Sequence, residues 1–264
     1  MKIVHLWSVA GVAEVLAKFM DRLKGTSSTV LVRRRFDRFG FNSSSLADGR
    51  YAFALRAVMT ARSADLVQVH NWDRILPWVS RFSPAPSVIT YHNFNIANEW
   101  EKRRRYWSKA DRRVIATPGL ADEKNGTVFI PEPVDTDMFF DASARKAGTA
   151  LHFEYGATEE AETFARERGL DLTVLSRDAS PVAHSMMPSL LNRYEYYIDI
   201  KRSVSVSPDI IRATGKTCLE ALACGCKVIR WDGRVLSGLP PENRPERVVN
   251  QYYDLYRSLL DGPG

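Results

Sequence analysis

The stretch that decides the fold is Gly215-Lys-Thr-Cys-Leu-Glu-Ala-Leu-Ala-Cys-Gly-Cys-Lys-Val-Ile229. Its pattern predicts a turn at Gly215, an apolar helix over 217–224, a glycine that ends this helix, and a strand over 228–231. A loop that leads into a helix N-terminus favours anions, because the free N–H groups and the helix dipole both attract negative charge. Glu220 places a carboxylate within this otherwise apolar helix. Such a loop and carboxylate suit a nucleotide sugar, whose diphosphate and ribose hydroxyls each need a partner.

The alternation of strands and helices continues along the rest of the chain. Strands are predicted over 2–7, 29–32, 66–69, 87–90, 113–116, 151–155, 172–175, 196–200 and 228–231. Helices are predicted over 12–23, 51–62, 158–169, 188–194, 217–224 and 247–260. Strands separated by helices indicate parallel sheets, and therefore a doubly wound α/β fold. Ligands of such sheets lie beyond the carboxyl ends of the strands, and the residues found at such ends are Gly11, Asn71, His92 and Asn93.

Two domains are expected from the distribution of proline and of small polar residues. The segment Pro131-Glu-Pro-Val134 is a stiff exit from the first half, and residues 142–150 are small and polar, as in a linker. We therefore expect a first domain over 1–134, a linker over 135–150, a short second domain over 151–246 and a C-terminal helix over 247–264. A chain of 264 residues can bury a core of this kind.

Composition excludes several classes of protein. No apolar run reaches the roughly 20 residues that span a bilayer, and Glu14 and Lys18 interrupt the N-terminal segment that a signal peptide would occupy. The three cysteines, Cys218, Cys224 and Cys226, are predicted to be packing residues in a reducing cytosol, because a metal site needs more ligands at wider spacing. We expect a cytoplasmic protein.

The chain is basic, with 37 Lys and Arg against 31 Asp and Glu and a net charge of +6. The excess is concentrated in residues 33–38 and in residues 102–113, where aromatic side chains are interleaved with the cations. A solvated helix face, an anionic membrane surface and a nucleic-acid surface all fit such a pattern. The nucleic-acid interpretation has no motif behind it, and we expect no nucleic acid. The candidates for a membrane surface are Arg103, Arg104, Arg105 and Trp107.

Several motifs resemble those of retaining GT-B glycosyltransferases of family 4. The stretch 215–229 matches the donor-site pattern Leu-Glu-Ala-x-Ala-x-Gly-x-Pro-Val-Ile at all but the proline. The segment Val128-Phe-Ile-Pro-Glu-Pro-Val-Asp-Thr-Asp-Met-Phe139 resembles the interdomain segment of that family. The other matching segments are Asp65-Leu-Val-Gln-Val-His-Asn71, Val88-Ile-Thr-Tyr-His-Asn93 and Ala110-Asp-Arg-Arg-Val-Ile-Ala-Thr117. The resemblance covers nearly the whole chain, with a poor match over 141–200.

The resemblance implies a fold and an activity. The fold would be GT-B, with two Rossmann-like doubly wound parallel-sheet domains facing a cleft and a C-terminal helix that returns to the first domain. The activity would be that of a hexosyltransferase that moves a sugar from a UDP- or GDP-linked donor to a hydroxyl, with retention. The acceptor would be a glycan or a lipid-linked molecule, which implies peripheral contact with the inner face of an anionic membrane. No Asp-x-Asp motif stands where a metal would be needed, so no metal and no other cofactor is expected.

The resemblance also assigns roles to particular residues. His92 would line the sugar cleft and stabilise charge there by hydrogen bonding, while Asn71 and Asn93 would lie on the acceptor side. Gly11 would approach the donor phosphate, and Glu220 would hold the donor ribose. From the residues alone, three of these have a structural alternative: a packed histidine for His92, a simple turn for Gly11, and a solvent-facing carboxylate for Glu220.

Two departures from the family pattern concern the donor site. Arg212 stands where the family has the first Glu of its pair, and the turn at Gly156 is followed by Ala-Thr-Glu-Glu instead of the expected Arg and Lys. Other residues are candidates for the donor diphosphate, namely Lys201, Arg202, Arg212, Gly215, Lys216 and Thr217. These departures leave open an alternative, a catalytically weak GT-B-like protein that binds a membrane or a partner enzyme.

Overall fold

The structure, a computed structural model, describes residues 1–42, 45–46, 49–92, 96–121, 126–154, 156–176, 178–203, 207–210 and 214–262. The chain divides into two compact units. Unit 1 consists of Met1–Pro133 and Pro245–Gly264, and unit 2 consists of Val134–Arg244. The residues predicted as a linker, 135–150, therefore belong to unit 2.

The helices and strands have the following bounds. The helices are α1 Val12–Lys24, α2 Arg50–Ala61, α3 Leu76–Phe82, α4 Ile96–Trp107, α5 Thr158–Glu167, α6 Met187–Leu191, α7 Lys216–Ala223 and α8 Pro245–Leu260. The strands of unit 1 are β1 Lys2–Leu6, β2 Ser27–Arg33, β3 Ser45–Leu46, β4 Leu66–His70, β5 Ser87–Tyr91, β6 Arg112–Ile115 and β7 Thr127–Phe129. The strands of unit 2 are β8 Lys146–Phe153, β9 Asp171–Leu175, β10 Tyr194–Asp199, β11 Arg202–Ser203, β12 Ser207–Ile210, β13 Lys227–Arg230 and β14 Val235–Leu236.

Unit 1 is built on a parallel sheet with the strand order β3-β2-β1-β4-β5-β6-β7. The central strands β4 and β5 are buried along their whole lengths. Helices cover both faces, since α2, α3 and α4 pack into one hydrophobic cluster and α1 and α8 into another. This is the doubly wound arrangement that the sequence predicts.

The helix α8 is tied into unit 1 by buried hydrogen bonds as well as by apolar packing against α1. The Tyr256 hydroxyl donates to Gln68 Oε1 on β4, and the Tyr252 hydroxyl lies 3.3 Å from Thr90 Oγ1 on β5. Gln68 Nε2 in turn donates to Thr90 Oγ1 at 2.9 Å. The predicted return of the C-terminal helix to the first domain is therefore confirmed.

Unit 2 has a smaller sheet with the order β14-β13-β10-β8-β9, in which the edge strand β14 is antiparallel to β13. The helix α7 packs with its apolar side in this unit's core, together with Cys218, Cys224 and Cys226, which are free and buried. Burial raises the pKa of Cys224 and that of Cys226 to about 12. The prediction that the three cysteines are packing residues is confirmed.

The structure differs from the prediction at the start of β8. This strand begins at Lys146, within the stretch predicted as a linker. Its first residues carry no apolar pattern. They are held instead by hydrogen bonds that their backbone N–H groups donate, from Gly148 to Glu195 Oε2 at 2.8 Å and from Lys146 to the Arg193 carbonyl at 3.1 Å. Side-chain periodicity does not record such contacts.

Within the described part of the chain, no helix combines the length and the apolar character that crossing a membrane requires.

Candidate functional site

The carboxyl edge of the unit 1 sheet carries a line of three histidines that ends at a carboxylate. His5 comes from β1, His70 from β4, and His92 directly follows β5, so three neighbouring strands each supply one ring. The contacts are His5 Nδ1 to His70 Nε2 at 3.3 Å, His70 Nδ1 to His92 Nε2 at 2.8 Å, and His92 Nδ1 to Glu132 Oε1 at 2.9 Å. We call these four residues the histidine chain.

Burial fixes the charge along the histidine chain. It lowers the pKa of His5 to about 4, and it lowers the pKa of His70 well below its usual range, with smaller contributions from His92 and His5. Both rings are therefore neutral at neutral pH, so each has one nitrogen that can donate and one that can accept. Because a carboxylate only accepts, His92 donates to Glu132 through Nδ1. With a neutral His92, its Nε2 accepts, so that His70 donates to His92 and His5 donates to His70, each through Nδ1.

The exposed member of the histidine chain is its carboxylate. The side chain of His92 is 1% exposed and that of Glu132 is 16% exposed. Both ring nitrogens of His92 are already engaged within the chain. His92 thus lies at the strand end where the sequence placed it, and Glu132 is the group through which it meets solvent.

Asn71 supports His92 from the adjacent strand end. Its backbone has a φ of 56°, in the left-handed region that Asn tolerates better than most residues. This bend brings Asn71 Oδ1 to 2.9 Å from the His92 N–H, which donates to it. Asn71 therefore orients the residue after β5. The acceptor-side partner predicted with it, Asn93, lies outside the described residues.

Gly11 forms the turn that leads from β1 into α1. It is the N-cap of α1 with a φ of 75°, and the preceding Ala10 has a φ of 48°. Two successive residues in the left-handed region turn the chain sharply, and glycine adopts this conformation without strain. Ser8 Oγ accepts from the Ala13 N–H at 3.2 Å, which satisfies one of the free donors of the first turn.

In unit 2, Glu220 lies on α7 and is only 2% exposed, so the solvent-facing alternative is wrong for this residue. Its Oε1 lies 2.8 Å from His184 Nε2 and 3.7 Å from Lys216 Nζ. A buried carboxylate needs such partners to offset the loss of hydration. One oxygen of Glu220 is thus already bound within unit 2.

The described cations that were predicted to bind the donor diphosphate also have carboxylate partners. Lys201 Nζ lies 2.8 Å from Asp199 Oδ1, and Arg202 pairs with Glu160 on α5. The Lys201 ammonium packs directly against Gly215, the N-cap of α7. Arg212 lies outside the described residues, and Thr217 is buried in the first turn of α7.

A pocket of about 310 Å³ lies at the carboxyl edge of the unit 2 sheet. Its lining residues are Glu159, Glu160, Thr163, Phe164, Ile200 and Trp231. Its two carboxylates come from the first turn of α5, and one of them, Glu160, pairs with Arg202. The described lining residues therefore offer hydroxyl acceptors and an aromatic wall.

Comparison with solved structures identifies the architecture. The chain is similar to sucrose-phosphate synthase from Thermosynechococcus elongatus, with a TM-score of 0.55 and 12% identity, covering 98% of this chain and 92% of that one. It is also similar to an α-glucosyltransferase in complex with UDP, with a TM-score of 0.55, 11% identity, and coverage of 99% and 92%. The chain has the GT-B fold. No protein-family model matches the chain, and no curated protein matches it.

One predicted surface residue of this GT-B chain is a core residue. Trp107, proposed for a membrane surface, is only 7% exposed; its ring stacks on Trp100 at 4.5 Å, and its Nε1 donates to the Trp100 carbonyl. The prediction for Trp107 is therefore wrong, because the aromatic side of α4 faces the sheet. Arg103 is held by Glu99 and by the buried Asp73, whereas Arg104 and Arg105 are exposed.

Sequence reasoning missed three residues of the GT-B chain's candidate sites. His5 lies inside an apolar strand, where the pattern gave no sign of a polar contact. His184 belongs to a short turn without a motif. Glu132 lies within the quoted interdomain segment, where a carboxylate between two prolines was the available signal.

Proposed function

We propose that this chain is a glycosyltransferase that moves a sugar from a nucleoside-diphosphate sugar to a hydroxyl acceptor. The observation that carries the proposal is the histidine chain, which presents Glu132 at the carboxyl edge of a GT-B sheet. The α-glucosyltransferase of similar fold was solved in complex with UDP, which supports a uridine or a related nucleotide donor here.

Glu132 is the group best placed to receive the acceptor hydroxyl. Its carboxylate is partly exposed, and its orientation is fixed by the N–H of His92. A hydroxyl that donates to a carboxylate gains electron density on its oxygen, which makes this oxygen a better nucleophile. His5 and His70 contribute by holding the tautomer of His92, as the third member of a hydrolase triad holds its histidine.

The donor side of the proposal uses unit 2. Glu220, which the family resemblance assigns to the donor ribose, retains a second carboxylate oxygen beside its contacts with His184 and Lys216. Lys216 Nζ lies 3.7 Å from Glu220 Oε1 in the first turn of α7, so a diphosphate at the start of this helix would compete with Glu220 for the ammonium. The N–H groups of that first turn would add to the stabilisation of the departing diphosphate. We propose that no metal takes part.

The stereochemistry, acceptor and location follow from the family resemblance alone. We propose retention at the anomeric carbon, a glycan or lipid-linked acceptor, and a cytoplasmic protein that contacts the membrane from its inner face. The proton resonances of the product's anomeric centre decide the first point, because α and β linkages differ in their coupling constants.

A second candidate function is supported by the ion pairs of unit 2. Lys201, Arg202 and Lys216 each lie against a carboxylate, and the first turn of α5 adds Glu159 beside Glu160, the partner of Arg202. A diphosphate would have to displace these partners. This observation favours a GT-B-like protein that binds a sugar or a partner enzyme without turnover.

Nucleotide binding separates the two functions. We would measure the thermal shift caused by UDP, GDP and their sugar conjugates, and then confirm any stabilising ligand by calorimetry. For a transferase, one nucleotide raises the melting temperature, and Glu220→Gln reduces its affinity by roughly tenfold, as expected for a lost hydrogen bond to a charged group. The matched control is Glu195→Gln, a carboxylate at the start of β10 that pairs with Lys227. If no nucleotide stabilises the protein, the binding function replaces the transferase.

A further inference from the structure

The helix α2 carries apolar side chains on two opposite sides. The inner stripe is fully buried and consists of Phe53, Ala57 and Ala61. The outer stripe consists of Tyr51, Leu55 and Met59, which are 84%, 65% and 55% exposed. The surface helix of a globular protein normally turns a polar side to water. The outer stripe of α2 instead presents successive apolar groups four residues apart, which lie one above the other.

The neighbouring helix α3 also exposes apolar side chains. Trp78 and Phe82 are 58% and 43% exposed, and their rings stack at 6.1 Å with an angle of 12°. The helices α2 and α3 pack side by side in the same layer on the unit 1 sheet. We call Tyr51, Leu55, Met59, Trp78 and Phe82 the apolar face. Single exposed apolar residues are ordinary, whereas a group on adjacent helices marks a site of interaction.

Arginines border the apolar face, and acidic residues are missing from its sequence. Residues 49–64 and 74–86 contain five arginines, no aspartate and no glutamate. Arg50 lies over the Tyr51 ring at 6.0 Å and Arg81 over the Phe82 ring at 5.7 Å, so cations stand directly beside exposed aromatic groups. The exposed Arg104 and Arg105 of α4 belong to the same helix layer.

We propose that the apolar face, with its arginine border, is a docking surface for an anionic lipid membrane. Tyr, Trp, Leu and Met are side chains that enter the boundary between headgroups and acyl chains, and arginines bind anionic headgroups around them. A nucleic acid would match the arginines and leave Leu55 and Met59 in water. That the acceptor is a lipid rests on the proposed function, whereas binding of the membrane by the apolar face requires no turnover.

The test is sedimentation of the whole chain with vesicles of phosphatidylcholine, with and without phosphatidylglycerol. We expect binding to the anionic vesicles, weakened by salt, and little binding to the neutral ones. Leu55→Ser with Met59→Ser should lower the bound fraction roughly tenfold, because less apolar surface enters the lipid. The matched control is Leu23→Ser with Leu260→Ser, two exposed leucines on α1 and α8, which cover the opposite face of the sheet. This control should bind as the unaltered chain does.

Trp78 provides a second measurement. All six tryptophans lie within the described residues, and Trp78 is the exposed one among them. Its emission should shift to shorter wavelength with anionic vesicles, and Trp78→Phe should remove this shift. Because every altered residue is exposed, unchanged circular dichroism verifies that the variants fold.

Three outcomes would overturn the docking surface. The first is that the unaltered chain does not bind anionic vesicles. The second is that the Leu55/Met59 variant binds as much as the control does. The third is that the Leu55/Met59 variant changes its oligomeric state in the absence of lipid. The last result would assign the apolar face to a second copy of the chain. Vesicle binding without any nucleotide binding would instead remove the transferase function and leave the docking surface in place.

Discussion

The Nδ1 atom of His92 lies 2.9 Å from Oε1 of Glu132, and this contact joins the end of β5 to the segment that follows β7. Both residues belong to unit 1. The contact makes a carboxylate, and not an imidazole, the outermost group of the histidine chain. It also gives a direct way to test whether the line of rings serves catalysis or only packing.

Glu132→Gln replaces the carboxylate by an amide of nearly the same shape. Since the amide can also donate, His92 should lose its fixed tautomer, which the ¹⁵N resonances of its ring would report. Turnover should fall about 100-fold with little change in KM for the donor, the scale of losing one group that assists proton transfer. Glu99→Gln on α4 is the control. Full activity in Glu132→Gln would leave the histidine chain with a structural role.

The histidine chain should also make unit 1 sensitive to acid. Burial lowers the pKa of His5 from 6.5 to about 4 in the folded state. Between these values the unfolded chain takes up a proton that the folded chain refuses, so the free energy of unfolding falls as the pH is lowered through this window. The loss amounts to roughly 3 kcal/mol, and His70 adds to it in the same direction.

Urea unfolding at a series of pH values measures this loss. His5→Gln should be less stable at neutral pH and should show a smaller decrease between about pH 6.5 and pH 4, because one of the buried imidazoles is gone. A decrease of the same size in both proteins would show that His5 is not the group responsible.

Glu220→Ala should destabilise unit 2 by about 3 kcal/mol, because it leaves His184 and Lys216 beside an empty buried position. Asp171→Ala, which breaks the exposed pair with Lys146, should cost less than about 1 kcal/mol. Denaturant unfolding of the two variants gives the comparison. Equal costs would mean that the cluster around Glu220 opens to water. The contrast also explains why nucleotide binding is better tested with glutamine at this position.

Gly215 and Gly49 form a matched pair, since each is the N-cap of a helix with negative φ, at −85° and −62°. A Cβ at Gly49 meets no atom of the described residues within 4 Å, whereas a Cβ at Gly215 collides with the Lys201 ammonium. Gly215→Ala should therefore displace Lys201 from Asp199 and cost about 1 kcal/mol more than Gly49→Ala. If the two substitutions cost the same, Lys201 does not hold its position against α7.

Apolar periodicity predicts most of this fold correctly. The strands predicted over 66–69 and 87–90 appear as Leu66–His70 and Ser87–Tyr91, because fully buried strands are continuous apolar runs. The helix Leu76–Phe82 was missed, since it is short and carries its apolar residues on both sides. Positions such as His92 could be found from strand ends. Their partners could not, because contacts such as His92 with Glu132 depend on residues 40 positions apart.

The same limit applies to the surface. In the sequence, the cations and the aromatic residues of α4 form one pattern. In the helix, Trp107 lies on the side that packs in the core, and Arg104 and Arg105 lie on the exposed side. Conversely, the four-residue spacing of Tyr51, Leu55 and Met59 is also typical of the buried side of a helix. Only the packing of α2 on the sheet shows that this side is exposed. Periodicity shows that a helix has an apolar side, and topology decides which side is buried.

The hydrogen bond between Tyr256 and Gln68 has a consequence for biosynthesis. The two residues are 188 positions apart, so the ribosome makes the acceptor long before its donor. At about 5–20 residues per second, the wait is on the order of ten seconds or more. All of unit 2 is translated in that interval, and β4 and β5 meanwhile lack the tyrosines that cover Gln68 and Thr90. The unit whose synthesis begins first is thus completed last, and until then its nascent form leaves uncovered the apolar surface on which α8 packs.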